Sequence, residues 1–132
     1  MATISDPQLS IQVDRAAKTA AVRVTCDLEF TDFEVRSMNL VGLHYTLECQ
    51  LLNMEMLYPE QVIAFVPQQY PRIRDGATQF ERPVFEAVAA TSDLHLYMFG
   101  QDSLVAEVRL SNEDLGTVSV KRTPALLVDL AA

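Results

Sequence analysis

The chain has no tryptophan, only four glycines and only two lysines, and each shortage removes a class of function. Sugar-binding sandwiches stack rings on exposed Trp or Tyr, so an aromatic content of 8% without Trp argues against a carbohydrate site; Tyr58, Tyr70 and Tyr97 are what is left for stacking. The scarce glycine provides no Gly-rich strand-to-helix turn to cradle a phosphate, and it obliges several turns to use Asp, Asn or Ser instead. Lys18 and Lys121 contribute to 10 basic residues that face 18 acidic ones, a net charge of −8. A surface this acidic repels phosphate backbones and anionic lipid, so neither nucleic acid nor a membrane is expected as a partner.

Long apolar runs are missing as well. A stretch such as Val62 to Val66 is far too short to span a bilayer. No basic segment followed by an apolar one opens the chain, so the expected location is the cytoplasm. At 132 residues the expected organisation is one domain over residues 1–132, large enough to bury a core without staples. No repeat, low-complexity tract or Ser/Gly-rich linker divides it.

Catalytic constellations are also lacking. The two histidines, His44 and His95, fall on separate strands with no spacing that brings them together, whereas zinc needs three or four converging ligands. Ser103 follows Asp102 in a turn but has no Gly-x-Ser-x-Gly elbow around it. Cys26 and Cys49 lie on the apolar parity of their strands without a basic neighbour on the same face, which reads as two reduced, inert core thiols. A bridge between facing strands is the alternative. No cofactor is expected, and the balance leans away from an enzyme.

What the chain does have is alternation. Val22, Val24, Cys26, Leu28 and Phe30 alternate with Arg23, Thr25, Asp27 and Glu29, and Leu43, Tyr45, Leu47, Cys49 and Leu51 with His44, Thr46, Glu48 and Gln50. Successive side chains of a strand point to opposite faces, so each stretch has one dry and one wet face, as in antiparallel sheets that cover a core on one side. Leu9 to Val13 gives a first strand, joined by a polar hairpin over residues 15–19 to the first long one. The apolar parity slips between Phe30 and Phe33, which predicts a bulge or bend at Thr31 and Asp32, followed by a turn over residues 37–42.

Further strands are expected at residues 61–66, ended by Pro67, and at 80–89, where Pro83 marks an edge or bulged strand. Residues 94–99, apolar on both parities, read as a covered strand. Residues 100–103 read as a turn, and residues 104–110 alternate clearly. Val118 and Val120, then residues 126–130, close the chain. Roughly eight or nine short strands without helical periodicity predict an all-β antiparallel sandwich of immunoglobulin-like or related Greek-key type; the alternative is a closed eight-stranded β-barrel.

Four candidate sites follow. Met54, Met56, Leu57 and Tyr58 form a Met-rich apolar patch, and the loop from Tyr70 to Gly76 exposes Tyr70, Arg72 and Arg74 on an otherwise acidic protein. Both suit a binding surface, and the leading expectation is a non-catalytic interaction module with a protein partner or a second copy through an edge strand. In a barrel, residues 94–99 would line a cavity for a small apolar ligand, with Tyr45, His95 and Tyr97 as polar handles, giving a carrier or a cyclase or isomerase acting by shape. The acidic bend of Asp27, Glu29, Asp32 and Glu34 offers oxygen ligands for a calcium-dependent module.

Overall fold

Two antiparallel sheets pack face to face, and the long alternating stretches supply their inner faces. The computed structural model describes residues 1–55, 58–71, 77–95 and 100–130. The first sheet runs from β1 (Thr3–Asp14) to β2 (Thr19–Glu29), which continues to the short β6 (Phe80–Glu81) and to β7 (Val84–Ala90). The second is centred on β3 (Tyr45–Asn53) and β8 (Asp102–Asn112), with β4 (Glu60–Ala64) and β5 (Gln68–Tyr70) beyond β3, and β9 (Gly116–Arg122) and β10 (Leu126–Val128) beyond β8. The sheets do not close, so the architecture is a sandwich and the barrel expectation is overturned: β1 and β7 remain the edges of the first sheet.

The core follows the parity of the sequence. Ala20, Val22, Val24, Cys26 and Leu28 from β2 face Tyr45, Leu47, Cys49 and Leu51 from β3 and Leu104, Ala106, Val108 and Leu110 from β8. Each large side chain buried this way is worth about 1.5–3 kcal/mol relative to exposure, which beats the local ordering cost only because the faces are continuous. Phe30 sits in the middle, edge-on to Tyr45 at 5.2 Å between ring centroids and tilted against Tyr70 at 5.8 Å. The predicted hairpin is present, with Asp14 opposite Thr19 and Asp14 Oδ1 accepting the Ala17 N–H at 3.1 Å.

The bend at Thr31 and Asp32 is a helix, not a bulge. α1 (Asp32–Val41) starts on a capping box, in which the Thr31 hydroxyl accepts the Glu34 N–H and the Glu34 carboxylate accepts the Thr31 N–H. It ends at Gly42, whose φ of 71° is the left-handed conformation that closes a helix and favours glycine. The turn expected over residues 37–42 is therefore mostly helix. A second helix, α2 (Thr91–Leu94), takes in Leu94, the first residue of the strand expected over 94–99, which is fully buried at the end of one helical turn; residues 96–99 of that expectation lie outside the described ones.

Candidate functional site

The residues singled out from the sequence are dispersed. Met54 is half-buried just after β3 and donates its N–H to the Ser103 carbonyl at 2.9 Å, whereas Tyr58 is exposed. Met56, Leu57, Arg72, Arg74 and Tyr97 lie outside the described residues. Tyr70 is not an exposed loop residue: β5 pairs it with Tyr45 of β3, and both rings close the core around Phe30.

Tyr45 is no cavity handle either. Its hydroxyl donates to Glu34 Oε2 at 2.7 Å, while the same carboxylate accepts the Thr31 and Ala2 N–H groups at 2.9 and 3.0 Å. Burial alone would push the Glu34 carboxyl up, but these bonds outweigh it and hold the group below its ordinary value. Burial and the adjacent Glu34 push the Tyr45 phenol up to about 12. Glu34 is thus a structural clasp, closed to a metal. Of the other acids in the expected calcium cluster, Asp27 pairs with Arg82 at 3.5 Å on β2, Glu29 is exposed at the end of that strand and Asp32 is exposed in the first turn of α1. Among the described residues no group of three or more His, Cys, Asp or Glu side chains converges as a metal site requires.

His95 does not stand alone on a surface. Its Nδ1 lies 2.5 Å from Asp102 Oδ2, and Asp102, expected in a turn, is a fully buried first residue of β8. Asn53 Nδ2 donates to the other Asp102 oxygen and to the Leu94 carbonyl, both at 2.9 Å, and Asn53 Oδ1 accepts the Glu55 N–H. This network ties α2 to β3 and β8. The sequence carried a signal for it, since Asp102 shares the parity of Leu104, Ala106 and Val108.

Cys26 and Cys49 are free and buried; burial, with Asp27 adding for Cys26 and Cys26 adding for Cys49, pushes both thiols up to about 12. Neither thiol is a nucleophile at neutral pH. On the outer face of the second sheet, the half-exposed Arg109 and Arg122 converge on Glu107, at 3.4 and 2.9 Å, with Gln50 donating to the same carboxylate at 3.1 Å. Burial raises the Glu107 carboxyl, but Arg122, Gln50 and Arg109 together hold it below its ordinary value, so the guanidinium groups are spent on an internal partner.

What stands out is the edge of the first sheet. Among the described residues β7 is paired on one side only, by β2. Pro83 separates it from β6, and α2 ends it. Phe85 anchors it inward, edge-on to Phe65 at 5.9 Å. Its outer side chains include Val84 and Val88, the latter 72% exposed. The Thr91 N–H donates to the Lys18 carbonyl and the Cys26 N–H to the Pro83 carbonyl, so the odd-numbered positions of β7 face β2 in the ladder. In antiparallel pairing the bonded positions alternate, which turns the N–H and C=O groups of Val84, Glu86, Val88 and Ala90 outward. The Val84 carbonyl accepts from Gln68 Nε2 at 2.7 Å, as this direction requires. A shallow trough of about 600 Å³ lies on the outer face over β2, between β1 and β7, lined by Ser10, Gln12, Ala21, Arg23, Glu86 and Val88.

Other edges carry defences against strand addition over part or all of their length. β1 contains Pro7 and a register break between Ser5 and Gln8, and its Ile4 N–H is taken by the Ser119 hydroxyl. β9 ends in Lys121 and Arg122, and β4, β5 and β10 are short. β7 has seven residues, unbroken register, no proline, no lysine and a single charge, Glu86, which Arg23 meets at 3.6 Å.

No family model matches the chain, and no curated protein matches it in sequence. Two solved structures follow a similar course at a distance. One is the sporulation control protein Spo0M from Bacillus subtilis, 10% identical with a TM-score of 0.47, covering 97% of this chain and 49% of that one. The other is an ApaA-like protein from Bordetella pertussis, 11% identical with a TM-score of 0.41, covering 97% and 92%. The chain thus spans about half the length of the Spo0M chain it resembles. Among the described residues no helix is long and apolar enough to cross a membrane.

Proposed function

We propose that the chain is a protein-interaction module that binds an extended segment by adding it as a strand beside β7. The observation that carries this reading is the undefended edge: outward backbone groups at Glu86, Val88 and Ala90 on a strand held rigidly from behind by β2 and Phe85. Backbone hydrogen bonds supply affinity in this mode, and pockets for alternate side chains supply selectivity. The mode needs no cofactor and no titrating side chain.

The test is a titration with a lysine-flanked Val-Thr-Val-Thr-Val peptide, followed by amide NMR. Shifts and slowed exchange at Glu86, Val88 and Ala90, abolished in Val88→Pro, are the expected result. That substitution removes an outward N–H while leaving the bonds to β2 at residues 87 and 89 in place. Perturbation at other strands, or binding untouched by Val88→Pro, would remove β7 as the site.

A further inference from the structure

We infer that Cys26 and Cys49 close into a disulfide that staples the two sheets together when the chain folds in the presence of a disulfide oxidant. Two ring contacts across the core place the pair. Phe30, just beyond β2, meets Tyr45 at the start of β3, with 5.2 Å between ring centroids. Phe65 meets Phe85 at 5.9 Å; Phe85 lies beside Val24 of β2, and the Phe65 N–H donates to the Cys49 carbonyl. Going back along β2 therefore matches going forward along β3, so the two strands run in opposite directions across the core. Cys26 lies four residues before Phe30, and Cys49 four residues after Tyr45. Each is thus two inner-face positions from that contact, on the side where the second contact lies. Both belong to one buried cluster, and the Cys49 thiol feels Cys26 as a near neighbour.

A bridge needs Cα atoms about 4.4–6.8 Å apart, closer than the ~10 Å usual between facing sheets. Two short side chains meet here, where Leu or Phe would prop the backbones apart, so the strands draw together locally as the bridge forms. Oxidised glutathione serves as the oxidant. One cysteine thiolate attacks a glutathione sulfur and expels a glutathione thiolate, leaving a mixed disulfide. The second cysteine attacks the protein sulfur of that bond and expels the other glutathione. Two protein thiols are oxidised, and one glutathione disulfide is reduced to two thiols. This exchange is confined to the open chain. In the folded core burial pushes both thiols from 9.0 up to about 12, which leaves almost no thiolate at neutral pH. The closed sandwich therefore keeps whichever redox state it folded in.

The test holds the reduced, unaltered chain at its urea midpoint with a mixture of reduced and oxidised glutathione until thiol loss stops, then dilutes the urea. A second sample meets the same mixture without urea. The first is expected to lose both thiols without gaining glutathione mass, and peptide mapping without reductant should join Cys26 to Cys49. Closing that loop restricts the unfolded chain, so the urea midpoint of the bridged form should rise by roughly 1–2 M over the dithiol form. The second sample should keep both thiols over the same period. Cys49→Ser, treated like the first sample, should form no internal bridge and gain no stability. A first sample that keeps both thiols, carries two glutathiones or links between molecules would show that the pair does not face itself, and overturns the inference. A bridged chain no more stable than the dithiol form overturns it too, because the bridge then does not fit the folded core. Equally fast oxidation without urea would overturn the confinement of the exchange to the open chain.

Discussion

The Tyr45 hydroxyl donates to the Glu34 carboxylate at 2.7 Å, and through that contact the second sheet holds both the start of α1 and the start of the chain. The carboxylate accepts from three elements at once. A hydrogen bond to a charged group contributes about 1.5–3 kcal/mol, so Tyr45→Phe is expected to lower stability by about that much in urea unfolding. Glu34→Ala costs more, because Thr31, Ala2 and Tyr45 all lose their acceptor.

The same pair sets two pH limits. Glu34 titrates lower folded than unfolded, so its contribution is present above the unfolded value of 4.5 and is lost as pH falls through the folded one. Tyr45 is raised from 10 to about 12, so its contribution is present below 10 and is lost as pH rises through about 12. In Tyr45→Phe the alkaline loss is expected to diminish. Thermal unfolding across pH, with tyrosinate absorbance on the alkaline side, checks both signs.

Much of this was legible in the pattern of residues, and what was not has physical reasons. Period-two alternation marks β2, β3 and β8 because each has one continuous inner face. Pro83 correctly marked an edge, which became β7. α1 hid because its inner face carries Glu34 and Met38 while Phe33, Leu40 and Val41 point to solvent, reversing the usual apolar stripe. The Thr31-x-x-Glu34 capping box was the readable signal there. Tyr70 looked like a loop residue beside Pro71, yet its pairing with Tyr45 is a long-range contact that local propensity does not encode. The outward positions of β7 depend on which neighbours pair with it, and only the assembled sheet reveals that.

Asn53 is expected to be a stability hot spot without any ligand. Its amide serves Asp102, Leu94 and Glu55 at once in a fully buried position. Asn53→Ala leaves those groups short of a partner and should cost about 2–4 kcal/mol. His95→Ala should cost less, because Asn53 still donates to the buried Asp102 carboxylate. Denaturant midpoints of the two variants give the order, and a larger loss for His95→Ala would contradict it.

The thiols supply a probe of global opening. With both raised to about 12 and both buried, Cys26 and Cys49 should resist iodoacetamide at neutral pH in the folded chain and react together in urea. Mass spectrometry of timed samples is expected to show unlabelled and doubly labelled chains with little single labelling, since both belong to the same core. Rapid labelling of one cysteine without denaturant would show that one sheet opens independently.

Gly42 separates backbone strain from crowding at the end of α1. A Cβ added there meets nothing within 4 Å, so any cost of Gly42→Ala is conformational, arising from the φ of 71°. The expected loss is about 1 kcal/mol, the usual penalty for a non-glycine residue in the left-handed region. Asparagine tolerates that region better than alanine, so Gly42→Asn should recover part of the loss. Thr31→Ala acts at the other end of the same helix by removing the hydroxyl that accepts the Glu34 N–H, and should also cost about 1 kcal/mol. The two ends share no partner, so the double variant should show additive losses in urea unfolding. A double variant markedly less stable than the sum would mean that α1 unravels as a unit and that the Glu34–Tyr45 clasp depends on both caps.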